Sequence, residues 1–137
     1  MNNIPVFLDS SFIIAVINAD DSLHKKALDL ETELKNRSQI WITEPVLFEI
    51  ANSFSKTNKY KVSQFIEFCY ESERITVVAL TMELLHDALF MYSNYSDKEW
   101  SLTDCLSFVV MKKEQITIAY TSDHHFLQAG FQALLLR

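Results

Sequence analysis

A chain of 137 residues, 49% apolar and 22% charged, suits one packed domain spanning 1–137 and excludes a disordered polypeptide. No apolar run approaches the roughly 20 residues that cross a bilayer. The start, Met1-Asn2-Asn3, has no basic stretch leading into an apolar signal segment, so a cytoplasmic protein without membrane contact is expected. The net charge of −6 argues against broad nonspecific nucleic-acid binding, except where bound metal neutralises part of the acid.

With one Gly and two Pro, the elements should be long and the loops short. Residues 4–9 read as a strand buried on both faces. Ser10-Ser11 then caps a short helix from Phe12 to about Ile17. Asp20-Asp21-Ser22 is a turn, after which Leu23, Ala27, Leu30 and Leu34 recur at helical spacing. Residues 39–42 form a second short strand. Thr43 caps a helix with Pro45 in its first turn and Val46, Ile50 and Phe54 as its apolar stripe. Val62, Phe65, Ile66 and Cys69 mark another helix, and the β-branched run 75–80 a third strand. Met82, Leu85 and Leu89 continue as helix, 94–98 as a polar loop, and Leu102, Leu106, Val109 and Val110 as a helix ending near Glu114. Residues 116–120 are a fourth strand. A short helix over 125–129 is stopped by Gly130, and 132–136 is a last edge strand. Strands alternating with helices imply a parallel sheet covered on both faces, with ligands at the carboxyl ends of the strands.

Four acids fall near that edge: Asp9 and Asp123 directly after strands, Glu49 about two turns into a helix, and Asp104 in the first turn of the helix leading to strand four. Each also has a purely structural explanation. Asp9 and Asp123 suit helix N-termini, and Ser101-Leu102-Thr103-Asp104 matches a capping box. Glu49 lies beside an apolar stripe, where a carboxylate needs a partner or a cation. Together the four would repel one another unless they share divalent ions, and oxygen-only ligands point to Mg2+ or Mn2+. Two such ions about 4 Å apart can clamp a phosphodiester, one activating water and the other stabilising the leaving oxygen. The hydroxyls of Ser10, Ser11, Ser101 and Thr103 would orient the acids or bound waters.

The remaining candidates are weaker. His24 and His86 read as surface or packing residues, whereas His124 and His125 adjoin Asp123 within reach of a phosphate. Trp41, Trp100, Tyr92 and Tyr95 can stack on bases but equally suit a core or a dimer interface. Lys56, Lys59 and Lys61, or Lys112 and Lys113, offer small basic patches or plain solvated faces. Cys69 and Cys105 lack a metal-ligand spacing and read as buried free thiols.

Four blocks in order resemble the PIN-domain family, and within it the VapC-type ribonuclease toxins. They are Val6-Phe7-Leu8-Asp9-Ser10-Ser11, Thr43-Glu44-Pro45-Val46-Leu47-Phe48-Glu49-Ile50, Trp100-Ser101-Leu102-Thr103-Asp104-Cys105, and Thr121-Ser122-Asp123-His124-His125-Phe126 with Ala129-Gly130-Phe131. The resemblance covers almost the whole chain. It implies a three-layer α/β/α fold with a central parallel sheet of about five strands. It also implies a Mg2+- or Mn2+-dependent endoribonuclease in which Asp9, Glu49, Asp104 and Asp123 are the acidic quartet. Ser10 stands where the family often has Thr. The family implies a homodimer and, for toxin members, a small antitoxin protein that fills the active-site groove. A stand-alone RNA-processing nuclease and a non-catalytic binding module on the same scaffold remain open alternatives. A phosphatase with an aspartyl nucleophile fits less well, because that chemistry wants a second acid at position 11, which is Ser.

Overall fold

The computed structural model describes residues 2–137. Five strands, β1 (Val6–Leu8), β2 (Ile40–Thr43), β3 (Ile75–Val78), β4 (Ile118–Tyr120) and β5 (Gln132–Ala133), form one sheet. Its order is β3-β2-β1-β4-β5, and every pairing is parallel. Val6 at the centre faces Ile40 on one side and Ile118 on the other. All three β1 residues are buried, as a strand between two covered faces requires.

The connections carry the helices α1 (Ser10–Ile17), α2 (His24–Leu34), α3 (Glu44–Ser53), α4 (Lys59–Glu71), α5 (Met82–Asn94), α6 (Leu102–Lys113) and α7 (His124–Gln128). The chain steps from β1 through β2 to β3 in one direction, then returns across the sheet to β4 and β5. With right-handed crossovers this reversal assigns α1–α4 to one face and α5–α7 to the other. The packing agrees: α1 lies against α2 and α3, and α3 against α4, whereas α5 packs on α6 and α6 on α7. Alternation along the strands feeds both layers. Leu8 lines an apolar hollow with Phe12, Ile13 and Phe65. Phe7 points the other way, with its ring 6.3 Å from that of Phe126. The α5–α7 layer is organised around Phe108, whose ring centroid lies 5.0 Å from Trp100, 4.9 Å from Phe126 and 5.7 Å from Phe131.

Several boundaries differ from the sequence reading, each for a local reason. The first helix begins at Ser10 with Asp9 as its N-cap residue, so Ser10 and Ser11 lie inside the helix rather than capping it. Strand β3 stops at Val78, and the Leu80 amide donates to Glu44 Oε1 at 2.9 Å instead of joining the ladder. The Ile116 amide closes on the Met111 carbonyl at 2.8 Å, which delays β4 to Ile118. The expected last strand keeps only Gln132 and Ala133. Leu134–Leu136 then turn into a 3-10 helix that buries Leu134 and Leu135 against the core. Gly130 stops α7 as expected, at φ +96°, where a side chain would be strained. His24 ties α2 to α1 through Nδ1 and the Ala15 carbonyl at 2.7 Å, while His86 is exposed. Among the described residues no helix is long and apolar enough to cross a membrane.

Candidate active site

The sheet order reverses between β1 and β4, and a crevice opens at their carboxyl ends at such a switch point. Asp9 leaves β1 at this place and Thr121 leaves β4 beside it. Buried and 5% exposed, Asp9 accepts hydrogen bonds through Oδ2 from Thr121 Oγ1 at 2.7 Å and Ser11 Oγ at 2.9 Å. These hydroxyls join the two strand ends further. Ser11 Oγ and Thr121 Oγ1 are 3.1 Å apart, Ser11 Oγ accepts from the Ser122 amide at 3.0 Å, and Thr121 Oγ1 accepts from the Asp123 amide at 3.0 Å.

Glu49 comes from the sixth residue of α3 and is half-buried; the Ser10 hydroxyl donates to its Oε1. Asp104 sits at the start of α6, which begins at the same sheet edge because α6 leads down into β4. The Ser101 hydroxyl accepts from the Asp104 amide at 3.0 Å, and Asp104 Oδ2 accepts from the Ser101 amide at 3.2 Å, closing a capping box. Asp123 caps α7 by accepting from the His125 amide at 2.9 Å. The His125 ring bridges the last two acids, with Nδ1 2.9 Å from Asp104 Oδ2 and 3.2 Å from Asp123 Oδ1.

Burial pushes the Asp9 carboxyl up to about 6. The Thr121 and Ser11 hydroxyls oppose that rise, and the charges of Glu49 and Asp104 add to it. Asp104 is raised for the same first reason, with the Ser101 amide and His125 opposing and the charge of Asp123 adding. Asp9 thus feels Glu49 and Asp104, and Asp104 feels Asp123. Among the described residues no lysine or arginine pairs with any of the four; their ion pairs are with His124 and His125 alone.

Of the hydroxyls expected to support the acids, Ser10 and Ser11 donate to one, whereas the Ser101 hydroxyl accepts from the Asp104 amide and it is the Ser101 amide that donates to the Asp104 carboxylate. Thr103 instead lines a cleft beside Glu49. Thr121 and His125 do more than the sequence suggested. Thr121 carries no pattern that distinguishes it from a loop residue, whereas His125 signalled itself only by lying two positions from Asp123. His124 is exposed, its ring 4.5 Å from that of His125, and donor atoms of Asp123, His124 and His125 lie close enough to share an ion. Trp100 is buried and donates from Nε1 to Gln128, and Trp41 is half-buried; both read as packing residues. Tyr92 and Tyr95 are exposed at the end of α5. Lys112 and Lys113 end α6 at the opposite sheet edge from the acids. Cys69 and Cys105 are free and buried, and burial raises their thiols to about 12 and about 11.

Thr121→Val removes the hydroxyl that both donates to Asp9 and accepts from the Asp123 amide. It should destabilise the fold by about 1–3 kcal/mol and raise the Asp9 pKa further. Urea unfolding together with a carboxyl NMR titration reads both effects. A variant as stable as the parent, with an unmoved Asp9, would refute this role for Thr121.

The PIN domain family model matches residues 6–132. The chain is 27% identical over 134 residues to the 23S rRNA-specific endonuclease VapC20 of Mycobacterium tuberculosis, with 92% of this chain and 95% of that protein covered. The crystal structure of the same organism's VapC20, a sarcin-ricin loop cleaving toxin, matches with a TM-score of 0.81 over 92% of this chain and 95% of that one. VapBC2 from Rickettsia felis, bound to a DNA fragment from its promoter, has a TM-score of 0.65 at 16% identity, covering 95% of this chain and 96% of that chain. FitAcB from Neisseria gonorrhoeae has 0.64 at 13% identity, covering 93% and 94%; these two likenesses concern the fold alone. With the family model spanning nearly the whole sequence, the chain belongs to the PIN-domain family.

Proposed function

We propose that this chain is a divalent-metal-dependent endoribonuclease that hydrolyses RNA phosphodiester bonds, and that it is the toxin of a toxin–antitoxin pair. One observation carries the reading: four carboxylates from distant parts of the sequence converge at the switch point, two of them buried, with no lysine or arginine paired to them among the described residues. Two buried carboxylates with two more beside them are well served by a shared cation. Their hard oxygen donors fit Mg2+ or Mn2+, so the residues present suit the ion that the chemistry needs. Likeness to VapC20, an endonuclease and toxin, over 92% of the chain supports the same reading.

In this account Asp9, Glu49, Asp104 and Asp123 are the catalytic acids and hold the ion. When bound, that ion supplies the positive charge that activates water and offsets charge on the phosphate. Ser11 and Thr121 fix the rotamer of Asp9, Ser10 steers Glu49, and Ser101 with His125 holds Asp104, so the acids meet their ligand with little reorganisation. Water forms the new bond to phosphorus and the bond to the leaving ribose oxygen breaks, so no covalent enzyme intermediate is required.

A cytoplasmic nuclease of this kind would attack its host's RNA, which supports a small antitoxin protein as partner. A second copy of the chain is supported by large apolar side chains left in solvent along α5, with Met82 77% and Phe90 72% exposed. Purified protein should cut single-stranded or structured RNA with Mg2+ or Mn2+ and stop on addition of a chelator. Cleavage that survives complete chelation, or no cleavage with either ion, counts against the proposal.

A further inference from the structure

Beside the acids lies an open cleft of about 480 Å3 lined by Pro45, Phe48, Glu49, Asn52, Ser53 and Thr103. It runs between α3 and the start of α6, so one wall carries Glu49 and the other adjoins Asp104. Phe48 is 66% exposed on a helix whose neighbouring residues Leu47 and Ile50 are buried. Among the exposed aromatic residues Phe48 is the one that lines the cleft with Glu49, so a free ring face is available there for stacking. The rest of the lining narrows the choice. Asn52 is exposed in the cleft lining and offers an amide that can donate and accept. Ser53 donates its hydroxyl proton to the Glu49 carbonyl at 3.0 Å, which leaves its oxygen free to accept. A flat apolar face ringed by amide and hydroxyl groups, next to a cation-binding cluster, matches the requirements of an unstacked nucleobase whose phosphate reaches the acids.

We infer that the Phe48 cleft is a nucleobase subsite: the ring of Phe48 stacks on a base of the RNA next to the bond that is cut, and Asn52 hydrogen-bonds to that base's edge. This inference rests on the endoribonuclease reading and names where its substrate is gripped. Phe48 is absent from the aromatics singled out by sequence, because it precedes Glu49 in a helix rich in apolar residues. Only its exposure separates it from the core. The subsite is a source of affinity and of base preference, with Asn52 as the group that discriminates among bases.

The test compares wild type, Phe48→Leu and Phe48→Trp for cleavage of a single-stranded RNA oligonucleotide with Mn2+, alongside Mn2+ binding by calorimetry. Leucine keeps the apolar volume and removes the π-face, while tryptophan keeps a stacking face. Phe48→Leu should raise KM about tenfold with kcat changed far less. Phe48→Trp should restore KM, and Mn2+ affinity should be the same in all three. With oligonucleotides lacking one base at a time, a single position should weaken wild type and leave Phe48→Leu indifferent. Wild type that cuts RNA while Phe48→Leu has an unchanged KM, or a KM that rises equally in Phe48→Trp, overturns the subsite and leaves the nuclease reading standing. Wild type that binds Mn2+ and cuts no RNA overturns both.

Discussion

Replacing Asp9 with asparagine is expected to abolish RNA cleavage and yet to stabilise the metal-free protein at neutral pH. Cleavage should fall on the order of 100-fold or more, since even residues that only support metal ligands cost about 10–100-fold when lost. The stability gain follows from burial. Asp9 is 5% exposed and its carboxyl rises to about 6, so the folded state favours the protonated form more than the unfolded chain does. That contribution is present in full below the ordinary carboxylate range, near pH 4, and is lost as pH rises through about 6. Holding the carboxyl near 6 rather than near 4 corresponds to on the order of 3 kcal/mol at neutral pH, and Thr121 and Ser11 can donate to the asparagine oxygen as well, so the variant keeps their bonds. Urea unfolding in chelator should therefore find Asp9→Asn more stable than wild type at about pH 7.5 and level with it near pH 4. Wild type being the more stable protein at neutral pH without metal would contradict the assignment of Asp9 as an uncompensated buried acid.

The largest loss of stability is expected from Phe108→Ala. Its ring sits among Trp100, Phe126 and Phe131 with centroids 4.9–5.7 Å away, and it is fully buried. Truncating a buried phenylalanine costs about 3–5 kcal/mol, from lost transfer energy and the cavity left behind. Here the cavity would open between α6 and α7, which carry Asp104 and Asp123, so the packing that fixes two of the four acids loosens as well. The urea midpoint should fall accordingly, and metal affinity should weaken in whatever folded protein remains. A loss below about 1 kcal/mol would mean that the aromatic cluster repacks and does not hold the site.

Much of the architecture was readable because its signals are local. Val6-Phe7-Leu8 had to be buried on both faces, and Thr43 with Pro45 had to open a helix; the Thr43 hydroxyl does accept from the Val46 amide at 3.3 Å. The alternation of strands and helices then left a parallel sheet as the expected form. The ends of elements were less legible, since they depend on contacts made by distant residues. Leu134 and Leu135 look like strand residues, yet the Leu135 amide bonds to the Thr121 carbonyl at 3.1 Å and the run coils against the core. Ser10 looks like a cap, but its hydroxyl is committed to Glu49, 39 residues away.

The candidate site divides in the same way. The acids were visible as charges adjoining apolar runs. Thr121 and His125 acquire their partners only when β1, β4, α6 and α7 meet, so the sequence marked His125 by its place beside Asp123 but not its bond to Asp104, and left Thr121 without a role. Glu49 was expected beside an apolar stripe, between Phe48 and Ile50. Its helix instead turns Phe48 outward, which leaves Glu49 half-buried at the mouth of a cleft.

The central claim is that Asp9, Glu49, Asp104 and Asp123 build one divalent-cation site. Its most direct test is calorimetric titration of Mn2+ into the purified wild-type protein and into Asp9→Asn. Saturable binding by wild type that is lost or strongly weakened in the variant is the predicted result. Binding of equal affinity in the two proteins, or no binding by wild type, would contradict it.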